Sequence, residues 1–206
     1  TSVPPSGHMP EGGYFFDAII RQDPIDEAAL DPADNTEEFG LLGAEDLAYY
    51  RAKKAWFDER RQCGSILVIP GTAFGDIALV PAPWLKHPKG IRDVAEWYMI
   101  TKTRPDYVRR IFDRQCEVAL QNLDTLIRLF GASVQVALIT GTDFGTQRGP
   151  FISRQAYREL YLPYHRQIND LIHRRTGWKT FIHSCGSVYQ FIPDFIEAGF
   201  DVLNPV

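Results

Sequence analysis

From residue 132 onward the chain alternates short apolar runs with longer helical stripes. Residues 134–139, Lys179–His183 and 201–203 read as strands; between them one helix starts after Ser153 and is ended by Gly177, and another fills 188–198. The links are short. Strands separated by amphipathic helices pair in parallel, because each helix carries the chain back along the sheet. A parallel sheet delivers its chemistry at the C-terminal ends of its strands, whether it stays open or rolls into a barrel. This alternation sets the fold class as α/β and says where a functional site is to be sought.

The rest of the chain extends the pattern less regularly. Residues 1–43 form an irregular N-terminal segment, rich in Pro, Gly, Asp and Glu. Within it Tyr14, Phe15 and Phe16, and then Ile19 and Ile20, are the expected strands of a hairpin. Regular patterning starts at Ala44 and continues to residue 206. Leu47, Tyr50, Ala55 and Trp56 give a loose helical stripe reaching about Arg61. Residues 65–69, between Gly64 and Pro70, predict a buried strand. A Gly- and Pro-rich connection comes next, with a short helix expected around Phe74 to Leu79. Long connections after strands often carry function. A short helix is expected over 93–99. Pro105 then opens a long helix whose stripe runs from Val108 and Ile111 to Ile127 and Phe130, where Gly131 stops it. Ser153 suits the N-cap of the next helix, and Pro163 predicts a kink inside it.

Charge and cysteine usage narrow the function classes. A formal net charge of -4 argues against a dedicated nucleic-acid binder, which carries a basic stripe. No apolar run is long enough to span a bilayer, and the N-terminal residues lack the pattern of a signal peptide. The three cysteines, Cys63, Cys116 and Cys185, are too few and too scattered for a disulfide framework, so the cytoplasm is the expected compartment.

Two strand ends carry chemistry. Strand 134–139 runs into Thr140-Gly141-Thr142-Asp143-Phe144-Gly145-Thr146-Gln147-Arg148-Gly149, whose glycines let the backbone approach a ligand. Asp143 there can act as a general acid or base, orient a ligand, or simply cap the turn with Arg148 as its ion-pair partner. Strand 179–183 runs into His183-Ser184-Cys185-Gly186. An imidazole and a thiolate one residue apart can face a single cation, and zinc accepts nitrogen and sulfur together. On spacing alone, a core histidine and a buried thiol beside a turn remain the plainer reading. His165 and His173 are expected as surface or packing residues, Tyr161 and Tyr164 as packing first, and His87 as part of a solvated loop.

The stretches GTDFGTQRGPFISRQAYRELYLPYHRQI and KTFIHSCGSVYQFIPDFIEAGFDVLNPV resemble the uroporphyrinogen decarboxylase superfamily. The likeness covers roughly residues 90–206, and more loosely FGDIALVPAPWLKHPKGIRD and GGYFFDAIIRQ. It implies a (β/α)8 TIM barrel, of which residues 44–206 would be an incomplete portion, since a whole barrel takes about 250 residues. The superfamily supports two chemistries. Uroporphyrinogen decarboxylases remove carboxylates from a tetrapyrrole without a cofactor. The methylcobamide:coenzyme M methyltransferases and their relatives use zinc to activate a thiol that takes a methyl group from a corrinoid. The zinc site of the second group contains a His-x-Cys pair, which His183 and Cys185 match in identity and spacing. The resemblance therefore implies a zinc- and corrinoid-dependent methyltransferase, with a corrinoid protein as an accompanying partner. Asp143 and Gln147 would be its catalytic or orienting residues, and Phe144, Arg148, Tyr164 and Asn204 would contact substrate. The family's third ligand is a distal cysteine, expected beyond Val206. The alternatives are tetrapyrrole decarboxylation and a non-catalytic barrel that binds a corrinoid or tetrapyrrole.

Overall fold

The computed structural model of the chain describes residue 5, residues 7–12 and residues 17–205. Near the N-terminus β1 (Gly7–His8) pairs antiparallel with β2 (Asp17–Ala18). A hairpin is thus present, but on other strands than those expected. Tyr14, Phe15 and Phe16 lie outside the described residues, and Ile19 and Ile20 come after β2 without joining a strand. The rest of the N-terminal segment is tied to the body of the protein. The buried Asn35 amide exchanges two hydrogen bonds of 2.8 Å with the backbone of Ile91. The buried Arg92 guanidinium meets Glu38 at 2.7 Å, and Asn122 accepts from the Leu42 N–H.

The helices and strands then alternate. Helix α1 (Ala44–Glu59) leads to β3 (Ile66–Val68), and α2 (Val94–Thr103) and α3 (Pro105–Phe130) come next. Strand β4 (Val136–Thr140) precedes α4 (Arg154–Ala156), a π-helical turn (Tyr157–Tyr161) and α5 (Leu162–Arg175). Strand β5 (Lys179–His183), α6 (Ile192–Glu197) and β6 (Val202–Asn204) complete the order. The long connection after β3 is a series of turns, and no helix forms at Phe74 to Leu79. Its Asp76 N–H and carbonyl, together with Gly71 and Gly75, are engaged in turns instead.

The four strands β3, β4, β5 and β6 lie in sequential order, all parallel. Sequential order without a reversal is how a barrel wall grows, whereas a doubly wound sheet switches direction. Helices cover one face. Leu67, Ile69, Ala137, Ile139 and Ile182 are buried on it, as is the apolar stripe of α3 from Val108 to Phe130. On the other face Ile66 is 54% and Val68 62% exposed, so β3, expected as a buried strand, is buried on one side only. That open face is the one a closed barrel would turn inward. No helix among the described residues is long and apolar enough to cross a membrane.

Two local features aim the strand ends. The pairing of β4 with β5 slips between Leu138 and Thr140, so two residues of β4 oppose one step of β5. Such a bulge bends a strand and re-aims the loop beyond it. Further along, the Ser153 hydroxyl caps α4 by accepting from the Ala156 N–H. Pro163 cannot donate to the preceding turn, and its ring would crowd the carbonyl four residues back. The chain widens into the π-helical turn just before it, and Pro163 falls in the first turn of α5.

Candidate metal centre

The loops leaving β4 and β5 are locked together. The Ser184 hydroxyl accepts from the Phe144 N–H at 3.0 Å, and the Ser187 N–H donates to the Thr146 carbonyl at 2.8 Å. Gly145 and Gly186 sit where the two backbones touch. A Cβ on Gly186 would lie 2.2 Å from the Gly145 carbonyl oxygen, and Gly186 also has a φ of +85°. Only glycine fits that crossing. Tyr98 stacks on Phe151 and donates its hydroxyl to the Asp143 carbonyl at 2.6 Å, holding the first loop from outside.

These constraints bring three donors together. His183 Nε2 lies 3.1 Å from Cys185 Sγ and 3.9 Å from Asp143 Oδ1. The Cys185 N–H donates to Asp143 Oδ1 at 2.7 Å. One ligand atom from each of Asp143, His183 and Cys185 lies within 4.8 Å of the other two. His183 and Asp143 keep 37% and 30% of their side-chain surface exposed, so the cluster is open to an incoming molecule.

The cluster fits a small borderline-soft cation. Zinc binds nitrogen at about 2.0–2.1 Å and sulfur at about 2.3 Å, so tetrahedral ligands stand about 3.5 Å apart. The observed 3.1 and 3.9 Å separations bracket that edge. Among the described residues the third donor in reach is thus an oxygen of Asp143, a residue for which the sequence offers several other roles. Three protein donors leave one tetrahedral position for a water or substrate. Burial raises the Cys185 thiol above its usual pKa, and the negative charge of Asp143 adds to the rise. A divalent cation shared by the two side chains would reverse that balance, since coordination deprotonates a thiol.

One further residue touches the site and a second lies within electrostatic reach of it. Asn204 pairs with His183 across β5 and β6 and places its Oδ1 2.8 Å from His183 Nδ1. Asp76, from the connection after β3, is nearly buried, with its Oδ2 close to Gly141. Burial foremost raises its carboxyl pKa; the backbone N–H groups of Ala78 and Gly141 pull it down, and the charge of Asp143 pushes it up further. Asp76 escaped the sequence reading. Its only signal is an acidic residue after a glycine in a connection that succeeds a strand.

Other expected site residues lie elsewhere. Phe144 is fully buried among Tyr157, Tyr161, Phe191 and Phe195, and so belongs to the core. Tyr164 is also buried, with its hydroxyl bonded to Asp113 at 2.8 Å. Both are held there by aromatic packing against the helical layer, and neither reaches the cluster. Gln147 and Arg148 are exposed at the tip of the turn closed by Gly145 and Pro150. Arg148 forms no ion pair with Asp143 among the described residues, whose carboxylate is taken by Cys185 instead. Cys63 is exposed and Cys116 buried in α3, both away from the cluster. His165 is fully buried, the packing alternative expected for it, with Nδ1 3.0 Å from the Tyr157 hydroxyl.

Residues 77–205 match the family model of uroporphyrinogen decarboxylase (URO-D). Among solved structures, a methyltransferase from Methanosarcina mazei has a similar fold, with a TM-score of 0.50 at 13% identity. The likeness covers 82% of this chain and 45% of that one, so the chain spans less than half the length of that methyltransferase. No curated protein matches the sequence.

Proposed function

Because the chain belongs to the uroporphyrinogen decarboxylase family, we propose that it is a methyltransferase-type member, holding zinc on His183, Cys185 and Asp143 and moving a methyl group from a corrinoid to a thiol. One observation carries this reading: an imidazole, a thiol and a carboxylate converge at two neighbouring strand ends, with the two separations from the imidazole suited to tetrahedral zinc. The fold shared with a methyltransferase is in keeping with it.

Zinc bound there would supply an acceptor thiol in its thiolate form at neutral pH, where a free thiol with a pKa of about 8.5 is mostly protonated. The chain's own residues do the rest. Cys185 and His183 hold the cation from one strand end, and Asp143 closes on it from the next, with its loop braced by Tyr98 and Ser184. Asp76 is a second carboxylate within electrostatic reach of Asp143 and His183, and its burial favours the protonated form. It is therefore suited to exchange a proton beside the cluster. The corrinoid would approach over the open side of the cluster, presented by a corrinoid protein in the cytoplasm.

The Asp76 and Asp143 pair also favours a second reading, metal-free decarboxylation of a tetrapyrrole such as uroporphyrinogen. Two assays separate them. The first tracks the visible spectrum of methylcobamide as a small thiol such as coenzyme M is added. The second tracks carbon dioxide release from uroporphyrinogen in the presence of a chelator. The methyltransferase reading predicts thiol-dependent demethylation that Cys185→Ala abolishes. Chelator-resistant carbon dioxide release, unaffected by Cys185→Ala, would overturn it.

A further inference from the structure

We propose that Asn204 is the positioning residue of this centre, selecting the tautomer and ring setting of His183 that turn the Nε2 lone pair toward Cys185 and Asp143. The inference rests on the metal-binding reading of the cluster but concerns a different residue and a different strand. His183 Nδ1 lies 2.8 Å from Asn204 Oδ1. An amide oxygen can only accept, so the hydrogen on Nδ1 is the one that closes this bond. A neutral imidazole carries one ring hydrogen, and Nε2 is then left with its lone pair. That atom is the one 3.1 Å from Cys185 Sγ and 3.9 Å from Asp143 Oδ1.

The arrangement is held by the sheet. His183 and Asn204 are register partners on adjacent parallel strands, and the Ser184 N–H donates to the Asn204 carbonyl at 2.9 Å. The orienting contact thus comes from β6, a different strand from the two whose loops carry Asp143 and Cys185. An amide turned the other way would donate to Nδ1 and drive the hydrogen onto Nε2, where it would exclude a cation. Removing the partner that orients a ligating histidine commonly costs about 10- to 100-fold in metal affinity.

The test compares wild type, Asn204→Leu and Asn204→Asp, with the last keeping an acceptor oxygen at the same place. Nitrogen-15 NMR of the ring, on metal-free protein at one pH above 8, reads which nitrogen of His183 bears the hydrogen. Chelator competition with zinc, and the sulfur-to-metal absorption band with cobalt(II), read affinity and the presence of Cys185 in the coordination shell. Wild type and Asn204→Asp should show the hydrogen on Nδ1. Asn204→Leu should shift it toward Nε2 and bind zinc about 10- to 100-fold more weakly, with the cobalt–sulfur band returning at saturation. A hydrogen on Nε2 in wild type overturns the proposal. So does an Asn204→Leu variant with the wild-type tautomer and affinity. Should wild type bind neither metal while the tautomer still depends on residue 204, the metal reading fails and the positioning role stands.

Discussion

His183 shows how far a single side chain can be read. Its spacing from Cys185 is plain in the sequence, because two residues at one strand end are separated by one position. Its other two neighbours are not. Asp143 lies 40 residues before it and Asn204 21 residues after it, and only the parallel register brings them together. Asp143 was legible as a strand-end carboxylate, but its partner was not, since Arg148 is nearer in sequence and Cys185 nearer in space. Phe144 and Tyr164 look like pocket residues because aromatic rings line pockets and cores alike, and burial alone decides between them. Asp143→Asn separates the ligand role of this carboxylate from its structural one. The amide keeps an acceptor for the Cys185 N–H, so stability should change by less than about 1 kcal/mol. Zinc affinity should fall about tenfold or more, because a charged oxygen donor is replaced by a neutral one. Urea denaturation and chelator competition measure the two effects separately.

At the scale of elements, the strands and helices after residue 132 arise from periodicity, and the loop geometry does not. The stripe of α3 predicts its extent to Phe130, and Ser153 and Pro163 mark the cap and the irregular turn of the next helix. The connection after β3 carries no periodicity, so neither its turns nor Asp76 could be placed from sequence. The contact between the β4 and β5 loops depends on two glycines whose spacing in sequence says nothing about their approach. Gly186→Ala should therefore damage the site more than the sequence suggests. Its Cβ would strike the Gly145 carbonyl and its φ of +85° strains any L side chain, at a cost of at least about 1–3 kcal/mol. Zinc binding should be lost along with that stability. Ser153→Ala is the control: losing the cap costs about 1 kcal/mol, and zinc affinity should stay at the wild-type value. Thermal denaturation with and without zinc compares the pair.

For the whole molecule, the parallel order of four strands and the helical layer on one face were legible as an α/β fold. The openness of the other face was not, because the apolar residues of β3 look the same whether covered or bare. The core also contains a titratable group that patterning hides. His165 is fully buried and burial lowers its pKa to about 3. The unfolded chain has a histidine pKa of about 6.5. A lowered folded pKa contributes stability above the unfolded value and loses it as pH falls toward the folded one. Stability should therefore decline from about pH 6.5 to about pH 3, with a slope of up to about 1.4 kcal/mol per pH unit from this group. Urea midpoints across that range should fall more gently in His165→Gln, and an unchanged slope would remove His165 as the cause.

The most direct test of the metal centre is X-ray absorption at the zinc edge on purified, zinc-loaded protein. Close to one zinc per chain is predicted, with one sulfur at about 2.3 Å and nitrogen or oxygen donors at about 2.0–2.2 Å. The sulfur should vanish from the Cys185→Ala spectrum. A folded protein that retains no zinc, or a coordination shell without sulfur, would rule out a zinc centre on His183 and Cys185.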